Sequence, residues 1–301
     1  MKKGPILILI AVFIAASWLP AWGQIEKSRF TVFVSILPQA YFLERIGGDR
    51  VNVEVLVGDG QSPHTYEPTP KQMAKLAEAK AWFIIGVGFE KGLMKKIGQS
   101  HRSLVIVETQ KGVPYRYLAG HDHRNDGHGH GKDQAGKSAG TPDPHIWMSP
   151  KLVQIQARNI HDALCRLDPA HKQQYAMNLK AFLDDLDRVD ARIARSLAPV
   201  KGRKMYVFHP AFGYFADAYG LVQVPIEIEG KEPGARQLAD LIDRAKKDGV
   251  RVIFVQPQFS KKSADVVAKS IGGAVVPINP LSKEYLANLE TMAAAVEQGL
   301  R

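Results

Sequence analysis

The chain has 301 residues, 45% hydrophobic and 23% charged, a balance that excludes a wholly disordered or collagen-like polypeptide. Forty basic against 30 acidic residues give a formal net charge of +10. The positive residues are scattered, in runs no longer than Lys95-Lys96 or Lys246-Lys247, so no nucleic-acid stripe is present. The single cysteine, Cys165, excludes an intrachain disulfide and any multi-cysteine zinc site.

Residues 1–23 read as an export signal. Lys2 and Lys3 form a short positive region, residues 5–19 are almost entirely apolar, and Ala21-Trp22-Gly23 has the small-x-small form of a cleavage site before Gln24. About 15 apolar residues fall short of the ~20 that span a bilayer. No cysteine lies beside the cleavage point to carry a lipid. The mature chain is therefore expected to be soluble and to work outside the cytoplasm, in the periplasm.

Apolar runs bounded by turn residues predict strands at 30–36, 51–57, 81–87 and 104–107, separated by helical patterns. One helix, over 70–79, has Thr69 as N-cap and Pro70 at its first position. The second half repeats the theme with strands at 204–208, 222–228, 250–255 and 274–278. Asp168 is placed to cap a helix opened by Pro169, and no Gly or Pro follows until Pro199. Apolar residues at Tyr175, Leu179, Phe182, Leu186, Val189, Ile193 and Leu197 recur by threes and fours. The reading is an α/β fold of two (βα)4-type lobes with mainly parallel sheets, residues 24–167 and 199–301, joined by a long rigid helix over 168–198.

Residues 119–142 break the pattern. They carry His121, His123, His128 and His130 among glycines and aspartates, with almost no apolar side chains. Such a stretch cannot bury a core and has the composition of a metal-collecting loop.

Three isolated histidines stand beside prolines in loop positions: His64 after Pro63, His145 after Pro144 and His209 before Pro210. His64 and His209 follow predicted strands in different halves. Ligands of open α/β sheets bind beyond the carboxyl ends of the strands, so a cleft between lobes would bring them together. Imidazole nitrogens suit zinc, copper and nickel, whereas magnesium and calcium want oxygen. Three neutral imidazoles leave one tetrahedral position for an oxygen donor.

At these residues the sequence resembles a known family. Ser62-Pro63-His64-Thr65-Tyr66-Glu67-Pro68-Thr69-Pro70, Gly86-Val87-Gly88-Phe89-Glu90, Asp143-Pro144-His145-Ile146-Trp147-Met148-Ser149-Pro150, His209-Pro210-Ala211-Phe212-Gly213-Tyr214-Phe215 and Glu229-Gly230-Lys231-Glu232-Pro233 occur in that order. Together they are similar to the zinc/manganese substrate-binding proteins of ABC importers, the ZnuA-like group. The resemblance implies two α/β lobes around a metal cleft, with His64, His145 and His209 as ligands. Zn2+ would be the transported ion, with Mn2+ as a second possibility, and residues 119–142 an auxiliary collector. The partners implied are ABC permease membrane subunits, docked transiently by a monomer. Manganese-type members tend to carry a carboxylate at the third position, so His209 favours zinc. One departure stands out: the family usually places an aspartate before Pro-Leu near the end of the chain as fourth ligand, and here Asn279 precedes Pro280-Leu281. Asn279 is open to two readings, a weak amide donor with water completing the site, or a turn residue.

Two other functions compete. A secreted zinc hydrolase also uses three protein ligands plus water, but no His-Glu-x-x-His helix is present to supply its base, which leaves Glu67 and Glu229 as candidates. A periplasmic zinc buffer or chaperone would act mainly through the histidine-rich stretch. Cys165 falls inside the helical pattern over 152–167 and reads as a small buried residue, which gives no catalytic triad.

Overall fold

The computed structural model describes residues 29–98, 103–118, 141–227 and 232–301. The expected signal segment and His121, His123, His128 and His130 lie outside the described residues, as does Glu229.

The first lobe is built on β1 (Phe30–Ile36), β2 (Val51–Val57), β3 (Ala81–Ile84) and β4 (Val105–Glu108), all parallel in the order β2-β1-β3-β4. Around them lie α1 (Leu37–Gly47), α2 (Pro70–Glu78), α3 (Gly88–Gly98) and α4 (Pro150–Leu167). The second lobe repeats the order with β5 (Lys204–Val207), β6 (Val222–Pro225), β7 (Val252–Val255) and β8 (Ala274–Pro277), arranged β6-β5-β7-β8 and again all parallel. Its helices are α6 (Gly213–Tyr219), α7 (Ala235–Lys247), α8 (Lys262–Ser270) and α9 (Tyr285–Leu300). Parallel strands covered on both faces read as unbroken apolar runs, which is why Ala81 to Ile84 are all buried.

Where a strand stops is decided by polar groups. The apolar run from 81 reaches Val87, yet β3 ends at Ile84 because the buried Glu90 carboxylate accepts the N–H groups of Ile85 and Gly86 at 2.9 and 2.7 Å. Gly86 has φ +98°, a left-handed turn that favours glycine. The β6 run, expected to continue to 228, is regular strand only to Pro225, although the Ile226 and Glu227 N–H groups still donate to the Val207 and Phe208 carbonyls at 2.8 and 3.0 Å.

Between the lobes runs α5 (Lys172–Leu197), 26 residues and about 39 Å long. The predicted stripe is its buried face: Tyr175, Phe182, Leu186, Val189, Ile193 and Leu197, packed on α1, α4 and α9. Its start differs from expectation. A 3-10 turn, Pro169–His171, precedes it. The Asp168 carboxylate does not cap the helix but accepts from the Tyr175 hydroxyl at 2.7 Å and the His171 Nδ1 at 3.0 Å. Cys165, expected to be buried, is half-buried, with Sγ 3.5 Å from His161 Nε2.

One continuous apolar core runs from the first sheet through α5 into α6 and α9, while a smaller one lies beneath α7 and α8. The N-terminal end of α9 sits on α1, where the Tyr285 and Phe42 rings meet edge-on at 4.8 Å. Its C-terminal end lies on β7: a Cβ on Gly299 would come within 2.9 Å of Phe254.

Candidate metal centre

His64 lies on the loop between β2 and α2. That loop is anchored at its far end by the predicted cap. The Thr69 hydroxyl accepts the Gln72 N–H at 3.2 Å, and the Gln72 side chain accepts the Thr69 N–H at 3.0 Å, a reciprocal capping box. Gln72 Nε2 also donates to the Leu56 carbonyl at 3.0 Å, tying α2 back to the end of β2.

His145 stands at the entrance to a 3-10 turn, Ile146–Met148, that leads into α4. Asp143, two residues earlier, accepts both the His145 backbone N–H (3.0 Å) and its Nδ1–H (2.7 Å). Burial works to raise the Asp143 carboxyl, but the hydrogen bonds from His145 and the nearby Arg116 outweigh it and hold it below the usual range. Arg116 Nη1 lies 3.3 Å from Asp143 and its Nε 3.1 Å from Asp217 on α6, so this guanidinium bridges the lobes.

His209 follows β5 by two residues, and strand register sets its surroundings. Val207 pairs with Pro225, so Glu227, two residues past Pro225, comes alongside His209 and accepts its Nδ1–H at 2.7 Å. Just past β7, the buried Gln256 pins the His209 backbone at both ends: its side-chain oxygen accepts the N–H at 3.2 Å and its amide donates to the carbonyl at 2.8 Å.

The three imidazoles converge. Nε2 of His209 is 3.0 Å from Nε2 of His64 and 3.3 Å from Nε2 of His145, and the three ligand atoms all lie within 4.8 Å of one another. Nitrogens bound at ~2.05 Å in a tetrahedron are about 3.3 Å apart, so His209 already stands near ligand spacing from both of the other imidazoles. The carboxylates fix the Nδ1–H tautomer of His145 and His209, leaving both Nε2 lone pairs facing inward. His64 is exposed as a residue, but its ring faces the other two imidazoles, and desolvation there, reinforced by His209 and His145, holds its pKa below the usual histidine value. Burial, the largest influence on His145, holds that ring below 6.5 against the pull of Asp143. Lone pairs converging in a site that disfavours protons are suited to a cation. Three neutral donors backed by two buried carboxylates match the charge of a divalent one.

The remaining walls are mostly apolar. Phe259 stacks on His209 at 4.7 Å, and Trp147 meets His145 edge-on at 5.2 Å. The cavity has a volume of about 30 Å³, enough for an ion and a water. Asn279 plays the turn role: its Oδ1 accepts the Leu281 N–H and the Gln258 Nε2–H, each at 3.0 Å.

Asp143 and Glu227 were not singled out by sequence. The first could have been found from its i−2 spacing to His145; the second is 18 residues from His209 and meets it only through the β5–β6 register.

Residues 32–299 match the profile of the family described as zinc-uptake complex component A, periplasmic. The chain is 32% identical over 262 residues to the high-affinity zinc uptake system protein ZnuA of Bacillus subtilis, an alignment covering 85% of this chain and 80% of that protein. It is 29% identical over 303 residues to the zinc-binding lipoprotein AdcA of Streptococcus pneumoniae, covering 97% of this chain and 58% of AdcA. Among solved structures, a crystal structure of ZnuA superposes with a TM-score of 0.82 at 39% identity, covering 91% of this chain and all of that one. A zinc-bound ZnuA deletion mutant gives 0.81 at 40% identity, covering 91% and 98%. With the family profile spanning both lobes and the helix between them, the chain belongs to the component A family of zinc-uptake complexes.

Proposed function

We propose that this protein is a periplasmic zinc receptor that holds the ion between its lobes with His64, His145 and His209 and delivers it to the membrane subunits of an ABC importer. The observation that carries the reading is the convergence of three Nε2 atoms at 3.0 and 3.3 Å in a cavity shared by both halves of the chain. The relatives are named for zinc uptake and zinc binding. Residues 24–167 and 199–301 serve as the two lobes, with 168–198 as the strut, and a monomer suffices for the site. The composition of residues 119–142 supports an auxiliary collecting role for His121, His123, His128 and His130. The N-terminal pattern supports export, and no helix among the described residues is long and apolar enough to cross a membrane.

One feature favours carriage over hydrolysis. Both carboxylates at the cluster are hydrogen-bonded to imidazole Nδ1–H, so neither is placed as a base for a metal-bound water.

The test is zinc titration of the mature protein against a chromophoric chelator. Alanine at His64, His145 or His209 should each weaken the tight site by at least about 100-fold, since two imidazoles cannot hold zinc as three do. Retention of wild-type affinity by all three variants would sink the ligand set.

A further inference from the structure

Three imidazoles leave one coordination position, and the structure holds an unused oxygen for it. Gln258 lines the cavity together with the three histidines. Its Oε1 is buried and has no hydrogen-bond partner among the described residues. A buried carbonyl oxygen left unpaired costs free energy, so such an atom points to a missing donor or cation.

The orientation of this oxygen follows from a short relay. The Leu281 N–H can only donate, so the Asn279 atom it meets at 3.0 Å is the oxygen. That same oxygen lies 3.0 Å from the Gln258 side-chain amide, so the Gln258 atom facing it is the nitrogen. The Gln258 oxygen therefore occupies the other branch of the amide. Strand register brings the pair together: Val255 and Pro277 are partners in β7 and β8, and Gln258 and Asn279 lie three and two residues beyond them. Asn288 holds the far side of Asn279 by donating to its backbone carbonyl at 2.7 Å.

We propose that Gln258 serves the fourth position of the metal, its Oε1 accepting the hydrogen bond of the water that completes the zinc shell, and that Asn279 is the positioning residue that aims it. This rests on the three-histidine reading above. It makes the first shell wholly neutral, so the site discriminates against hard, carboxylate-seeking manganese.

The experiment is chelator-competition titration of the full mature chain with zinc and with manganese, paired with visible spectra of the cobalt-loaded protein. Gln258→Leu should weaken zinc 10- to 100-fold, the usual effect of removing an outer partner, and should change the cobalt d–d band. Asn279→Ala should reproduce both changes without altering the cavity wall. Asn279→Asp, which keeps the acceptor for Gln258, should retain at least wild-type zinc affinity. Circular dichroism checks that each variant folds, and Asn279→Ala carries the test if Gln258→Leu does not. His64→Ala is the control for the underlying reading. If His64→Ala abolishes tight binding while Gln258→Leu and Asn279→Ala keep zinc within twofold and the cobalt spectrum unchanged, the Gln258 proposal is overturned and the histidine site stands. If His64→Ala also binds as wild type, both fall.

Discussion

Glu227 offers the sharpest test of how the site is tuned. Its carboxylate is 4% exposed and accepts the His209 Nδ1–H at 2.7 Å, so this is a buried, charge-assisted hydrogen bond of about 1.5–3 kcal/mol. Alanine at this position leaves Nδ1–H without an acceptor, frees the ring to rotate and removes a negative charge facing the cation. Outer partners of this kind are worth about 10–100-fold in metal affinity, or about 1.4–2.7 kcal/mol. Glutamine keeps the acceptor and loses the charge; neutral bonds are roughly half as strong, so Glu227→Gln should lie between wild type and Glu227→Ala, near the lower end of that range. Chelator competition at pH 7.5 measures the series, with circular dichroism confirming the fold. Zinc affinity in Glu227→Ala within twofold of wild type would refute the idea that this carboxylate holds His209 for the ion.

Glu90 gives a pH prediction. Burial raises its carboxyl to about 7, above its ordinary value of 4.5, so the folded state binds the proton more tightly than the unfolded chain does. Its contribution is then present below about pH 4.5 and lost as pH rises through about 7, a swing of about 3 kcal/mol at ~1.4 kcal/mol per pH unit. In urea melts of metal-free protein, the stability of wild type relative to Glu90→Gln should fall between pH 4.5 and 8; a constant difference would contradict the buried-acid reading. Arg116→Met should lower stability by about 1–3 kcal/mol, since it leaves the fully buried Asp143 without its counter-charge, the loss being moderated by the partial exposure of Arg116. Thermal unfolding checks this, and a change below about 0.5 kcal/mol would deny the bridge. Gly299→Ala should cost about 1–3 kcal/mol, because the new methyl lies 2.9 Å from Phe254 and forces overpacking between α9 and β7; an unaltered melting temperature would show that the helix shifts freely.

What sequence could reveal followed what is local. The runs at Phe30–Ile36 and Val51–Val57 are strands to the residue: β1 is a largely buried apolar run inside the sheet, and the edge strand β2 interleaves its valines with Asn52 and Glu54. Thr69-Pro70 announces α2, and the stripe from Tyr175 to Leu197 announces α5. The histidines stood out through their flanking prolines. Non-local pairing was hidden. The end of β3 depends on Glu90 folding back from α3, and the capping role expected of Asp168 yields to the Tyr175 hydroxyl. Glu227 reaches His209, and Gln258 reaches Asn279, only because neighbouring strands end in register, and a linear pattern carries no record of register.

The way α9 is seated bears on how such a receptor lets its cargo go. The polypeptide joins the lobes through α5, and α9 bridges them a second time by packing, its two ends resting on α1 and β7. The two helices are fastened along their length, by the Arg192–Glu290 pair and by the Ser196 hydroxyl donating to Glu297 at 2.6 Å. A single strut can bend; two struts bolted side by side must shear past each other before the mouth can widen, and close-packed side chains resist shear. On residues 58–69 His64 is exposed and, among the described residues, no carboxylate holds its ring, whereas His145 and His209 are each held by one. In mechanical terms the proposed site is a vice with two clamped jaws and one free one, so on the three-histidine reading release is expected to begin at His64 while His145 and His209 stay clamped by their carboxylates.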